Sequence, residues 1–159
     1  MKKFKALMIA FALVVSVFCF TACKDHNQKT NDNRIISEVL SDSMYPALSS
    51  GDKIVIEPQA TYNKGDIVVY VLNENMTIAH RIIGIFEEEG VAYYICHGDN
   101  VQNIDGTTSN ADWIDDAEYV QELINNNETK AEMEERFGYI AHIITFDQIK
   151  GAVVDIIRK

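Results

Sequence analysis

At 159 residues the chain is long enough for one domain with a real core and too short for two. Its 24 acidic against 14 basic residues give a net charge of −10, and without the three lysines that precede Cys23 (Lys2, Lys3, Lys5) the balance is 24 against 11, or −13. So acidic a domain repels phosphate, which excludes nucleic acid as a partner, and it lacks the polybasic patch that holds a protein on anionic lipid.

The chain opens on a basic stretch followed by an unbroken run of apolar and small residues, 6–22. As a helix this run spans roughly 25 Å against a hydrocarbon layer of roughly 30 Å, so it reads as a signal sequence more readily than as a permanent span. The lysines ahead of it predict that this end stays cytoplasmic while the rest crosses. Its end, Phe20-Thr21-Ala22-Cys23, resembles the lipobox of bacterial lipoproteins, with Phe20 where an aliphatic residue is usual. That resemblance implies acylation of Cys23, which becomes the mature N-terminus; an uncleaved signal anchor is the alternative. Either way the domain is expected at the extracytoplasmic face of the cell membrane, tethered to it. Residues 24–33 form a polar linker without apolar periodicity.

From Arg34 the pattern turns strand-like, and 34–159 is read as the folded domain. Strands are expected near 34–41, 52–57, 66–73, 77–86 and 91–97, rich in Val, Ile and Tyr, with Pro46, Gly51, Pro58, Gly65 and Gly90 among the breakers. A short acidic turn between the last two predicts a hairpin. Further on, 115–124 and 128–137 read as helices, the first with Ala117, Val120, Leu123 and Ile124 on one face. A strand pattern returns over 138–146, and 147–157 reads equally as helix or strand. The fold class is therefore mainly β, with a small helical insertion toward the C-terminus.

The stretch with chemistry in it is Ser41-Asp42-Ser43-Met44-Tyr45-Pro46-Ala47-Leu48-Ser49-Ser50-Gly51-Asp52. Ser43 sits where a strand breaks into a turn, so its hydroxyl is presented on a rigid base beside backbone N–H groups that no ladder uses. Those are the requirements of an acyl-transfer nucleophile. A serine hydroxyl needs a proton acceptor with a pKa near 7, which histidine supplies with little perturbation. His80, in Ala79-His80-Arg81-Ile82-Ile83-Gly84, is the base candidate, and a carboxylate must then orient the imidazolium. The acidic loop Gly98-Asp99-Asn100-Val101-Gln102-Asn103-Ile104-Asp105 offers one.

These pieces, in this order and spacing, resemble the type I signal peptidases, specifically their archaeal, endoplasmic-reticulum and sporulation-type branch. The resemblance covers about residues 35–106. It implies an antiparallel β-sheet catalytic domain and a membrane-tethered serine endopeptidase that cleaves signal peptides from exported precursor proteins. Ser43 matches the nucleophile, His80 the general base, Asp105 the acid that orients it, and Asp99 a second acid kept near the site. Ser41 matches a serine whose hydroxyl helps hold the oxyanion, with the Ser43 backbone N–H as the other donor. Substrates with small residues one and three positions before the cut, presented as an extended strand, are implied, and no metal or organic cofactor is. Asp42 replaces the small residue usual in that branch and resembles the Asp-Ser-Met of self-cleaving repressor peptidases; a carboxylate there stands to crowd substrate or raise the histidine pKa. A non-catalytic lipoprotein with a peptide-binding fold is the second reading. The repressor-type peptidase is disfavoured by the export signal and by histidine in place of lysine.

Other polar residues carry less. Cys96, between Tyr93-Tyr94-Ile95 and His97, reads as a small buried residue. His97 beside it lacks the spacing of a metal site, because neighbours on a strand point to opposite faces. Val101 stands where a calcium loop needs a carboxylate. His26 and His142 enter no motif.

Overall fold

The computed structural model describes residues 33–101 and 113–159; the leader with Cys23, the linker up to Asp32, and Asp105 lie outside the described residues. Within them the strands are β1 (Ile35–Glu38), β2 (Lys53–Glu57), β3 (Ile67–Asn73), β4 (Met76–Glu88), β5 (Val91–His97), β6 (Ala141–Thr145) and β7 (Ile149–Ile157). They pair antiparallel throughout, in the spatial order β1-β2-β7-β3-β4-β5-β6. The mainly β expectation holds.

The β3–β4–β5 meander follows from local sequence. Asn75 N–H donates to Asn73 Oδ1 at the first turn, and Glu89 and Gly90 both take positive φ (53° and 78°) at the second, as a tight hairpin turn requires. β7 is the element that periodicity left undecided. It inserts between β2 and β3, and both ladders slip, between Val55 and Ile56 on one side and Val69 and Tyr70 on the other. Each slip breaks the two-residue alternation, so the sequence shows neither period cleanly. Gly151 admits the close approach: a Cβ there would stand 2.7 Å from the Glu57 carbonyl.

Two helices, α1 (Trp113–Asn125) and α2 (Lys130–Phe137), lie on the sheet. Ala117, Val120 and Leu123 are buried as expected, against Ile83, Ile95, Met133, Phe137 and Ala141. α2 starts two residues later than its pattern suggested, because Thr129 is its N-cap and exchanges hydrogen bonds with Glu132 in a capping box. Gly138, at φ 57°, ends it, so β6 begins at Ala141 and not at 138. A second cluster packs Tyr62, Val68, Tyr70, Ile82, Tyr94, Cys96 and Ile144 together. A third, under the Ser43 turn, joins Met44, Leu48, Ile54, Ile56 and Val69.

Candidate active site

The Ser43 segment connects β1 to β2, neighbours in the sheet. Its neck is closed by Val39 N–H to the Asp52 carbonyl (2.9 Å) and Gly51 N–H to the Val39 carbonyl (2.8 Å). This closure is why β1 ends at Glu38, short of the expected 41. Met44 and Leu48, 1 % and 0 % exposed, plug the turn into the core below, so the serine next to Met44 cannot drift without unpacking it. Asp52 finishes the turn, accepting from Ser49 N–H at 3.0 Å, from Arg158 Nη1 at 2.6 Å and from the Lys159 N–H at 3.3 Å. The Ser49 N–H, with Arg158 and Lys159 adding to it, outweighs burial and holds this carboxyl below its ordinary range.

Asp42 is engaged within the serine turn. Its Oδ1 accepts from Ser50 N–H at 2.8 Å, turning the charge into the loop, and His80 takes its shift from burial and from His142 and His97. Asp42 is thus held by a turn hydrogen bond and is not among the causes of the His80 shift.

Gly98 joins the two halves of the site. A Cβ at this position would stand 2.7 Å from the Ser43 carbonyl oxygen and 2.9 Å from His80 Nε2. Only a residue without a side chain lets the Ser43 backbone and the imidazole edge share that space. The next residues fasten the approach. Asn100 N–H donates to the Ser43 carbonyl at 2.8 Å, and Asn100 Nδ2 donates to the Asp42 carbonyl at 3.0 Å. Asp99 is clasped by Arg81 through Nε–H to Oδ1 (2.9 Å) and Nη2–H to Oδ2 (2.6 Å). Arg81 also donates to the Gly65 carbonyl and lies over the Trp113 ring, 5.0 Å from its centroid. Asp99 thus lies near the site, and its carboxylate holds the loop through Arg81.

Ser43 Oγ lies 3.3 Å from Ser41 Oγ, the two hydroxyls sharing a hydrogen bond. Among the described residues no hydrogen bond joins Ser43 Oγ to the imidazole, and none accepts the Ser43 N–H. The structure therefore brings Ser41, Ser43, His80 and Asp99 into one region, with the serine–histidine contact open.

His80 differs from the expected lightly perturbed base. It is 7 % exposed, and burial first, then His142 and His97, push its pKa down to about 3. Its Nδ1 faces Tyr70 Oη at 3.4 Å, and the same hydroxyl lies 2.6 Å from His142 Nδ1. Sequence reasoning passed over Gly98, Tyr70 and His142 as site residues. One signal was present: His142 shares the parity of Ile144 along a strand, which places it on an inward face. Cys96 is fully buried, and burial raises its thiol pKa. His97 pairs with Asp116 at 3.3 Å, and no metal-ligating cluster occurs among the described residues.

The antiparallel β domain, with a serine turn and a histidine strand set around one glycine, has the β-rich make-up of a signal-peptidase-like fold. The chain belongs to the Peptidase S24-like family, whose model matches residues 15–114, a span that includes Ser41, Ser43, His80, Asp99 and Asp105. It is also similar to the signal peptidase complex catalytic subunit SEC11 of Lachancea thermotolerans, at 38 % identity over 98 residues, covering 59 % of this chain and 56 % of that protein. The chain thus spans about half the length of the curated relative it matches.

Proposed function

We propose that the protein is a membrane-tethered serine endopeptidase that removes signal peptides from exported precursors. Ser43 is the nucleophile, His80 the general base, and Asp105 the acid that balances the imidazolium charge, since Tyr70 Oη faces His80 Nδ1. The observation that carries this reading is Gly98, pinched between the Ser43 backbone and His80 Nε2. In the reaction Ser43 Oγ attacks the scissile carbonyl as its proton passes to His80 Nε2. The imidazolium then protonates the leaving amine, and water hydrolyses the acyl-enzyme by the same steps in reverse order. Ser41 Oγ and the Ser43 N–H are the donors placed for the oxyanion.

A groove of about 280 Å³ leads to Ser43 between Ser37–Ser41 on one wall and Thr77–Ala79 on the other, floored by Met44, Leu48, Ile54 and Val69. Its two walls are the stretches just before Ser43 and just before His80. An extended peptide lying there pairs with strand backbone and puts alternate side chains onto the apolar floor, which suits the small residues expected before the cut. Leu40, 84 % exposed, lines the groove, and Tyr45, 55 % exposed, follows in the serine turn, in keeping with work at a bilayer surface. The tether is the N-terminal 23 residues, through acylated Cys23 or as an uncleaved anchor; among the described residues no helix is long and apolar enough to cross a membrane.

The test is cleavage of a secretory precursor by the full chain and by Ser43→Ala and His80→Ala. Each variant is expected to lose on the order of 10⁴-fold or more in rate, because the members act as a unit. Equal cutting by all three proteins, or none by the wild type, removes the enzyme reading in favour of a non-catalytic peptide-binding lipoprotein. Mass spectrometry of the mature N-terminus distinguishes lipidation of Cys23 from a retained anchor.

A further inference from the structure

We infer that Tyr70 and His142 are positioning residues that fix which nitrogen of His80 carries the proton, an inference that rests on the peptidase reading above. Tyr70, on β3, is fully buried. Its hydroxyl lies between two imidazoles, 2.6 Å from His142 Nδ1 on β6 and 3.4 Å from His80 Nδ1 on β4. The two rings stack nearly parallel, 8° apart with centroids separated by 5.9 Å. Both therefore turn the same edge to one oxygen.

That oxygen carries one hydrogen, because burial raises the phenol pKa and keeps it protonated. The chain of hydrogen bonds then has two directions. In the first, Tyr70 O–H donates to His142 Nδ1 and accepts from His80 Nδ1–H; the lone pair of His80 is left on Nε2, the nitrogen beside Gly98, and His80 is a competent base. In the second, His142 Nδ1–H donates to Tyr70, Tyr70 donates to His80 Nδ1, and the His80 proton sits on Nε2, where it blocks proton uptake from serine. The lengths favour the first direction, since bonds donated by O–H run shorter than those donated by N–H, and the short contact is to His142. The partner that holds a catalytic histidine at Nδ1 is commonly a carboxylate; here a neutral hydroxyl faces that nitrogen.

Protonation of His142 reverses the chain. An imidazolium has hydrogen on both nitrogens, so its Nδ1 can only donate to Tyr70 Oη. Tyr70 must then donate to His80 Nδ1, and the His80 proton moves from Nδ1 to Nε2. The net change is one proton gained from solvent, at His142, while His80 keeps its count and loses its function as a base. His142 is faced by Tyr70 from β3, His80 from β4 and, directly opposite in the ladder, Cys96 from β5; His97, next along β5 and paired with Asp116 on the other face, acts on it through space. Burial and His97 hold its pKa below the ordinary histidine value, so the site stays in the competent direction at neutral pH.

Imidazole ¹⁵N NMR of the full chain in detergent, with kcat/KM against pH on a secretory precursor, tests this. The wild type is expected to show His80 as the Nδ1–H tautomer and His142 as Nε2–H. Tyr70→Phe shifts His80 toward Nε2–H and lowers kcat about tenfold or more with little change in KM. His142→Asn, which keeps an acceptor near the Nδ1 position and cannot titrate, retains rate near pH 7.5 and moves the acid limb down by a pH unit or more. His142→Leu loses rate as Tyr70→Phe does. A His80 tautomer unchanged by Tyr70→Phe, or pH profiles of His142→Asn and His142→Leu that both overlay the wild type, overturns the inference and leaves the peptidase reading intact. The expected tautomer shifts in a wild type that cuts nothing sink the peptidase reading and leave the hydrogen-bond chain standing.

Discussion

Two polar residues in the Ser43 region separate chemistry from scaffolding. Ser41 is exposed and, among the described residues, its hydroxyl bonds only Ser43 Oγ, so Ser41→Ala removes no other described contact of that hydroxyl. The expected outcome is an unchanged unfolding midpoint with a loss of roughly 10²–10³ in kcat, the cost of one oxyanion donor. Asp99 is the converse. Its side chain and that of Arg81 are 7 % and 14 % exposed, and removing one partner of a buried bidentate pair strands the other charge. Asp99→Ala is expected to cost about 3–5 kcal/mol of stability, measured by urea unfolding, with activity falling only as the folded fraction falls. A variant that stays as stable as wild type and loses kcat instead shows Asp99 to be a participant in the reaction.

At the scale of elements, the helices owe their seat to a glycine. A Cβ at Gly84 would stand 2.4 Å from Val120 Cγ1, too close for any rotamer adjustment by so short a side chain. Gly84→Ala is expected to lift α1 from β4 and destabilise by about 1–3 kcal/mol. Val120→Ala in the same chain removes the offending methyl, so the double variant should be more stable than the sum of the single losses predicts, by at least about 0.5 kcal/mol. Strict additivity in denaturant melts refutes the contact. This dependence explains what was legible in the sequence. The meander strands show because their β-branched runs end at Gly, Asn and Pro, and Ser43 and His80 show because motif and spacing are local. The lodging of β7 between β2 and β3 is set by two ladder slips. The Tyr70–His142 contact joins residues 72 apart in the chain, and Gly98 matters only once the serine turn and the distant β4 meet across it. Such facts are properties of pairing, which no window along the chain contains.

For the whole molecule, the site's histidines bind stability to pH. His80 is held neutral by burial among β3, β4 and β6, its pKa lowered from 6.5 to about 3, and His142 shifts in the same direction. As pH falls, the unfolded chain takes up these protons first. The stability that the neutral imidazoles contribute is whole above pH 6.5 and drains away down to about pH 3, at a rate of up to about 1.4 kcal/mol per pH unit for His80 alone. The Asp52 clamp, which ties the C-terminal Arg158 and Lys159 to the serine turn, titrates below the ordinary carboxyl value of 3.8 and so fails later. Acid unfolding is thus expected in two stages: a loss between pH 6.5 and 4 that belongs to the histidines, then a steeper one that involves Asp52. Urea midpoints at pH 7.5, 5.5 and 4.5 should fall steadily in the wild type and flatten in His80→Asn. Arg158→Ala should leave the slope above pH 4.5 unaltered, since the Asp52 carboxyl stays ionised there with or without its partner. If His80→Asn declines as steeply as the wild type across that range, the imidazole is not held neutral by the fold, and the histidine window has no basis.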